Sequence, residues 1–158
     1  MCIRDSKYSI YAICTRNSVN AVETAKKCNA SIATTDYNQI LTDENVDMVM
    51  ICTRHNLHAD YSMKALKAGK AVFVEKPMAI NQKELNELVK TIKETNLPFM
   101  VGFNRRFSPF AKEIKKQIVN RINPMIISYR MNAGYIPLDV WVHEDGGRIV
   151  GEACHIID

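Results

Sequence analysis

Apolar and polar positions follow two periods along this chain, and the two take turns. A short apolar run at residues 10–14 gives way to helical spacing over 21–28. A second short run, 31–34, precedes Asp36, a side chain suited to capping a helix through Leu41. Residues 48–52 form an unbroken apolar run, the pattern of a strand buried on both faces of a parallel sheet. Helical spacing returns over 58–68 and stops at Gly69, the position past a helix end where glycine is favoured. Ala71–Val74 reads as another strand, and Leu85, Leu88, Val89 and Ile92 then fall at i, i+3, i+4 and i+7 on one helix face. Residues 99–103 close the series. Strands alternating with helices predict βαβ units, and with them an α/β fold whose parallel sheet carries helices on both faces.

Beyond Gly102 the pattern changes. Ser108 and Pro109 make a cap and first-turn pair for a helix to about residue 119, and residues 125–131 alternate like a half-solvated strand. A further helix runs through Glu152 and His155. The chain thus divides into residues 7–103 and 104–158, the second stretch reading as the beginning of another domain. It reads as cut short at both ends, since residues 1–6 feed no strand and nothing follows Asp158 to pair with.

Composition narrows the classes. With 47% hydrophobic and 24% charged residues, the 158-residue chain is an ordinary globular protein. No run approaches the roughly 20 apolar residues of a membrane span, and no leader pattern opens the sequence, so a cytoplasmic location and no membrane partner are expected. The net charge of +4 is modest, and Lys112, Lys115 and Lys116 sit on a helix without interleaved aromatics, which argues against nucleic acid. Cys2, Cys14, Cys28, Cys52 and Cys154 show no CxxC spacing, so no metal is expected and the thiols should be free and mostly buried.

The candidate chemistry begins at Glu75, Lys76 and Pro77, directly after Ala71–Val74. Open α/β sheets hold ligands beyond the carboxyl ends of their strands, and an ammonium there is costly to desolvate unless it meets an anion. A glycine-rich phosphate turn is missing: glycine occurs only at 69, 102, 134, 146, 147 and 151, and none of these follows a first strand as G-x-G-x-x-G. The strand and helix that would hold a pyrophosphate, between the strands at 10–14 and 48–52, therefore have no counterpart.

The ordered motifs TRHNLHA at 53–59, AVFVEKP at 71–77, MVGFNRRFSP at 100–109 and GGRIVGEACHIID at 146–158 together resemble the glucose-fructose oxidoreductase and inositol 2-dehydrogenase (Gfo/Idh/MocA) family. The resemblance implies a Rossmann-like doubly wound parallel sheet, incomplete here, followed by the start of an α+β domain with an open, mainly antiparallel sheet. It also implies hydride transfer between NAD or NADP and a sugar, cyclitol or related polyol, in a protein that is a homo-oligomer when intact. Lys76 matches the lysine that touches the nicotinamide ribose and the reacting hydroxyl, and His155 the histidine that exchanges the substrate proton. Glu152 stands one turn before His155, where the family more often has aspartate; Asp158 matches the motif's trailing aspartate. The residue chemistry agrees, because oxidising an alcohol requires a proton acceptor near neutrality and a cation for the developing alkoxide.

Thr53, Asn56, His58 and Glu75 fall where the family lays its cofactor, Asn56 serving equally as a helix cap. Thr15 and Arg16 stand where an acid would grip the adenosine ribose of NAD. An arginine there favours a 2′-phosphate, hence NADP. Arg105 and Arg106 line the substrate side or pair with acids across the domain junction. The alternative to an enzyme is a non-catalytic small-molecule binding or regulatory module on the same fold. Without the glycine turn, the chain by itself is expected to be inactive.

Overall fold

Side-chain caps mark where the helices begin. In the computed structural model, which describes residues 8–132, 134–144 and 146–158, Asn17 accepts a bond from the Val19 amide and opens α1 (Ser18–Cys28). Asp36 does the same for α2 (Tyr37–Thr42) through the Asn38 amide, as expected from sequence. Asn81 caps α4 (Gln82–Thr95) reciprocally: its Oδ1 accepts from the Glu84 amide while Glu84 accepts from the Ile80 amide. Ser108 caps α5 (Pro109–Ile118), which has Pro109 in its first turn. α3 (His58–Lys67) ends on Gly69 at φ 80°, with the Lys70 amide returning to the Ala65 carbonyl. The last helix, α6, spans Gly147–Ile157. Residues 1–7, including Cys2 and the start of the 7–103 stretch, lie outside the described residues.

Among the described residues all strand pairing is parallel, and it falls into two sheets. β1 (Ala12–Cys14) pairs with β2 (Ile32–Thr34), Ala12 opposite Ile32. β4 (Ala71–Val74) lies between β3 (Met48–Ile51) and β5 (Phe99–Val101), so Val72 stands opposite both Val49 and Phe99. No ladder joins β1 to β3 among the described residues. Tyr11 and Ala12 still pack against the common core, and Asn45 donates to the Tyr11 hydroxyl over 3.4 Å.

The core lies between one face of β3 and β4 and the helices α3 and α4. Val49, Ile51, Val72 and Val74 point into it and meet Ala65, Leu66 and Leu88, the last fully shielded. Burying a side chain of that size contributes about 1.5–3 kcal/mol. The other face of β3 is not covered: Met48 is 44% and Met50 38% exposed. This corrects the reading of residues 48–52 as buried on both faces. An unbroken apolar run marks what can be buried, but among the described residues no helix covers that side.

Two other expectations change. Residues 125–131 are not a strand: they are irregular and exposed, with Ile126 98% open, because no described strand offers them a ladder. The four described cysteines are free but not mostly buried. Cys14 and Cys52 stand at the carboxyl ends of β1 and β3, where the sheets open to solvent, and Cys28 and Cys154 are half-buried.

Candidate active site

β4 ends at Val74, and the next residues carry the ladder one step further: the Glu75 amide donates to the Ile51 carbonyl at 2.9 Å and the Gly102 amide to the Val74 carbonyl at 2.8 Å. Lys76 is thereby fixed at the carboxyl edge of the sheet, and its peptide to Pro77 is cis. Its side chain is largely buried, only 14% exposed. Nζ donates to the Gly151 carbonyl at 2.8 Å and to Glu152 Oε1 at 3.2 Å, both on α6. The anion demanded by a desolvated ammonium is thus Glu152, from the far end of the chain.

His155 follows Glu152 by one helical turn. Its ring stands edge-on to Phe103, centroids 6.5 Å apart, and its Nδ1 is buried without a hydrogen-bond partner among the described residues. Burial pushes its pKa below the ordinary histidine value; Lys76 and Arg105 push the same way, and Glu152 and Glu75 oppose them. The imidazole is therefore held neutral near pH 7, ready to accept a proton. Arg105 lies 3.7 Å from Glu152 Oε2, so this carboxylate faces cations on both sides. Arg106 instead pairs with Asp158, its Nε donating at 2.7 Å. Arg106 and Asp158 thus tie the start of the second stretch to the end of α6 rather than joining the Lys76 cluster.

His58 takes a different part from the cofactor contact expected of it. It is 1% exposed, with Nδ1 2.7 Å from the Pro77 carbonyl and Nε2 3.0 Å from the Thr53 carbonyl. With both ring nitrogens against backbone, it binds the 53–58 loop to the Lys76–Pro77 turn and has no edge left for a ligand. Asn56 is not a cap either. A 3₁₀ turn, His55–Leu57, precedes α3, so Leu57 holds the cap position and makes no side-chain bond. Asn56 is exposed, as is Thr53.

The residue that sequence reasoning missed in this loop is His55. Its ring lies against the backbone of Gly151, where a Cβ would come within 2.8 Å of His55 Cε1, and edge-on to Trp141 at 5.2 Å. The signal was present in the histidine of TRHNLHA, but Gly151, which makes room for it, is nearly a hundred residues away in sequence. Arg54, also in this loop, lies over the Trp141 ring. His55, Arg105, Arg148, Gly151 and Glu152 line a cavity of about 220 Å³, with Met131, Ile136 and Val142 as its apolar wall.

Thr15 and Arg16 line a separate, open depression of about 630 Å³ past the end of β1, together with Asn17, Ser18, Asn20 and Thr35. The Thr15 hydroxyl donates to the Asn17 carbonyl at 2.6 Å. The thiols near these sites are not poised as nucleophiles: burial raises the pKa of Cys52, with Glu75 adding to it, and burial also raises that of Cys154.

A match to known proteins settles what this scaffold is. The model of an oxidoreductase family with an NAD-binding Rossmann fold, GFO_IDH_MocA, matches residues 2–103. The chain belongs to the Gfo/Idh/MocA family. Among its relatives, a 4-carboxy-2-hydroxymuconate-6-semialdehyde dehydrogenase from Sphingobium is 36% identical over 70% of this chain and 35% of its own length. A myo-inositol 2-dehydrogenase from Thermotoga maritima is 30% identical over 90% of this chain and 48% of its own. The crystal structure of a myo-inositol 2-dehydrogenase from Lactobacillus plantarum superposes with a TM-score of 0.71 at 27% identity, over 75% of this chain and 35% of that one. The chain thus spans between about a third and a half of the length of these relatives.

The residues suit the nicotinamide cofactor that this Gfo/Idh/MocA domain implies. An ammonium and a carboxylate meet at the sheet's carboxyl edge, a buried imidazole nitrogen beside them has no hydrogen-bond partner among the described residues, and the β1 depression offers hydroxyl and guanidinium donors.

Proposed function

We propose that these residues oxidise or reduce a sugar, cyclitol or related polyol, exchanging hydride with a nicotinamide cofactor. The observation that carries this reading is the bond from Lys76 Nζ to Glu152, which brings the end of β4 and the helix bearing His155 into one site. A nicotinamide held here would supply the hydride chemistry at the substrate carbon. His155, held neutral, takes the hydroxyl proton. Lys76 stabilises the oxygen as negative charge develops on it, while Glu152 keeps the ammonium in place. Thr15, Arg16, Thr53, Asn56, Glu75 and Lys76 would hold the cofactor, and Arg16 favours the 2′-phosphate of NADP. Inositol dehydrogenases among the relatives support a polyol substrate.

The pyrophosphate turn G-x-G-x-x-G has no counterpart in the 158 residues, so the reaction is read as needing a polypeptide that also supplies it. The test is cofactor absorbance with myo-inositol or glucose and either cofactor, on the chain alone and on an intact reading frame containing it. The expected result is turnover only in the latter, falling about 10²–10⁴-fold in His155→Ala. No turnover in the intact protein overturns the reaction; turnover by the chain alone overturns the need for the turn.

A further inference from the structure

The cavity beside Glu152 is too small for a dinucleotide. At about 220 Å³ it falls below the roughly 300–1,000 Å³ usual for ligand pockets, a size suited to one sugar ring. Its polar wall is unevenly charged: Arg105 and Arg148 line it, and Glu152 is the carboxylate among its lining residues. Glu152 is already engaged by Lys76 and Arg105. Arg148 is half-buried in the first turn of α6, and its guanidinium makes no hydrogen bond or ion pair among the described residues. A guanidinium in that place gains nothing from the helix, whose amino end is itself positive, and it has five donors to satisfy. Arg105 Nη1 meets only the Met131 sulfur at 3.1 Å and the Tyr129 hydroxyl at 3.5 Å, weak acceptors for a cation.

Resting on the polyol reading above, we infer that the substrate is an anionic sugar or cyclitol, its carboxylate or phosphate gripped by Arg148 and Arg105 while its reacting hydroxyl faces Lys76 and His155. Guanidinium pairs bidentately with either anion, and the apolar wall of Met131, Ile136 and Val142 accommodates the ring's C–H surface. The specificity is then charge-based and set by a residue outside the proton-transfer group.

The chain has one tryptophan, Trp141, whose ring touches His55 on the cavity wall, so its fluorescence reports binding. Glucuronate, glucose 6-phosphate, glucose and inorganic phosphate are titrated against the chain. Glucuronate or glucose 6-phosphate should bind at least about tenfold more tightly than glucose, and their ranking separates carboxylate from phosphate as the favoured group. Arg148→Gln should erase that margin. Equal affinity for glucose and both sugar anions overturns the inference while leaving the polyol reading intact. Sugar anions binding no more tightly than inorganic phosphate uphold the anion site but overturn the polyol reading. A margin that survives in Arg148→Gln overturns the assignment of Arg148.

Discussion

Lys76 Nζ and Glu152 Oε1 lie 3.2 Å apart although 76 positions separate them in the chain. The ammonium is 14% exposed and the carboxylate 38%, so the pair is partly screened, but Nζ also donates to the Gly151 carbonyl at 2.8 Å. Removing the ammonium in Lys76→Met is expected to cost about 1–2 kcal/mol, the range for a charge-assisted bond with partial solvent access. Lys64→Met is the control. Lys64 pairs with Asp60 at 2.7 Å, but both side chains are about half exposed, and its loss should cost under about 0.5 kcal/mol. Urea unfolding of both variants checks the contrast, and equal costs would mean that Lys76 does not hold α6 to the sheet.

The pH response of His155 follows from its surroundings. Its pKa lies below the ordinary value because of burial, then Lys76 and Arg105, against Glu152 and Glu75. A folded pKa below the unfolded one means that the unfolded chain binds the proton more readily. The site's contribution to stability is therefore full above about pH 6.5 and declines as pH falls toward the folded midpoint. An NMR titration of the His155 ring should give a midpoint below about 6.5. It should rise in Lys76→Met, which removes a repelling cation, and fall further in Glu152→Gln, which removes an attracting anion. A midpoint unmoved by either change would disconnect the imidazole from the pair.

How much of this was legible beforehand depends on the range of the interaction. Asp36, Ser108 and Gly69 act on amides within a few residues, and each stands at the helix end its type predicts. Lys76 was legible as well, because the apolar run before it places it at the carboxyl edge. Exposure was not: Met48 and Met50 read as buried, yet face outward, since a strand's second face depends on what lies over it. The places of the two histidines were hidden for a similar reason. His58, expected on a cofactor, is enclosed by two carbonyls, and His55, passed over, reaches the cavity, because a 3₁₀ turn rotates the loop by an amount that no local pattern records.

His58 is the tie between the two motif loops, and its removal measures that tie. The ring is nearly fully shielded, and His58→Ala would remove its contacts with the Pro77 and Thr53 carbonyls and open a void. Losing a hydrogen-bond partner there costs about 1–3 kcal/mol and the void adds to it, so about 3–4 kcal/mol is expected in thermal or urea unfolding. A cost below about 1 kcal/mol, in the range of ordinary surface changes, would place the ring in solvent and return it to the pool of cofactor contacts.

Gly151 is the point where α6 touches both loops, its carbonyl on Lys76 and its α-carbon against His55. In an open helix, alanine for glycine would stabilise by about 1 kcal/mol. Here the added Cβ would come 2.8 Å from His55 Cε1, closer than carbon atoms pack, so the ring or the helix must move. Overpacking of this kind costs about 1–3 kcal/mol, and Gly151→Ala should therefore be destabilising despite the gain in propensity. The cost should shrink in the double variant His55→Ala with Gly151→Ala, since the new methyl then occupies space vacated by the ring. A positive coupling in that cycle locates the clash at this contact, whereas simple additivity would mean that His55 does not pack on α6.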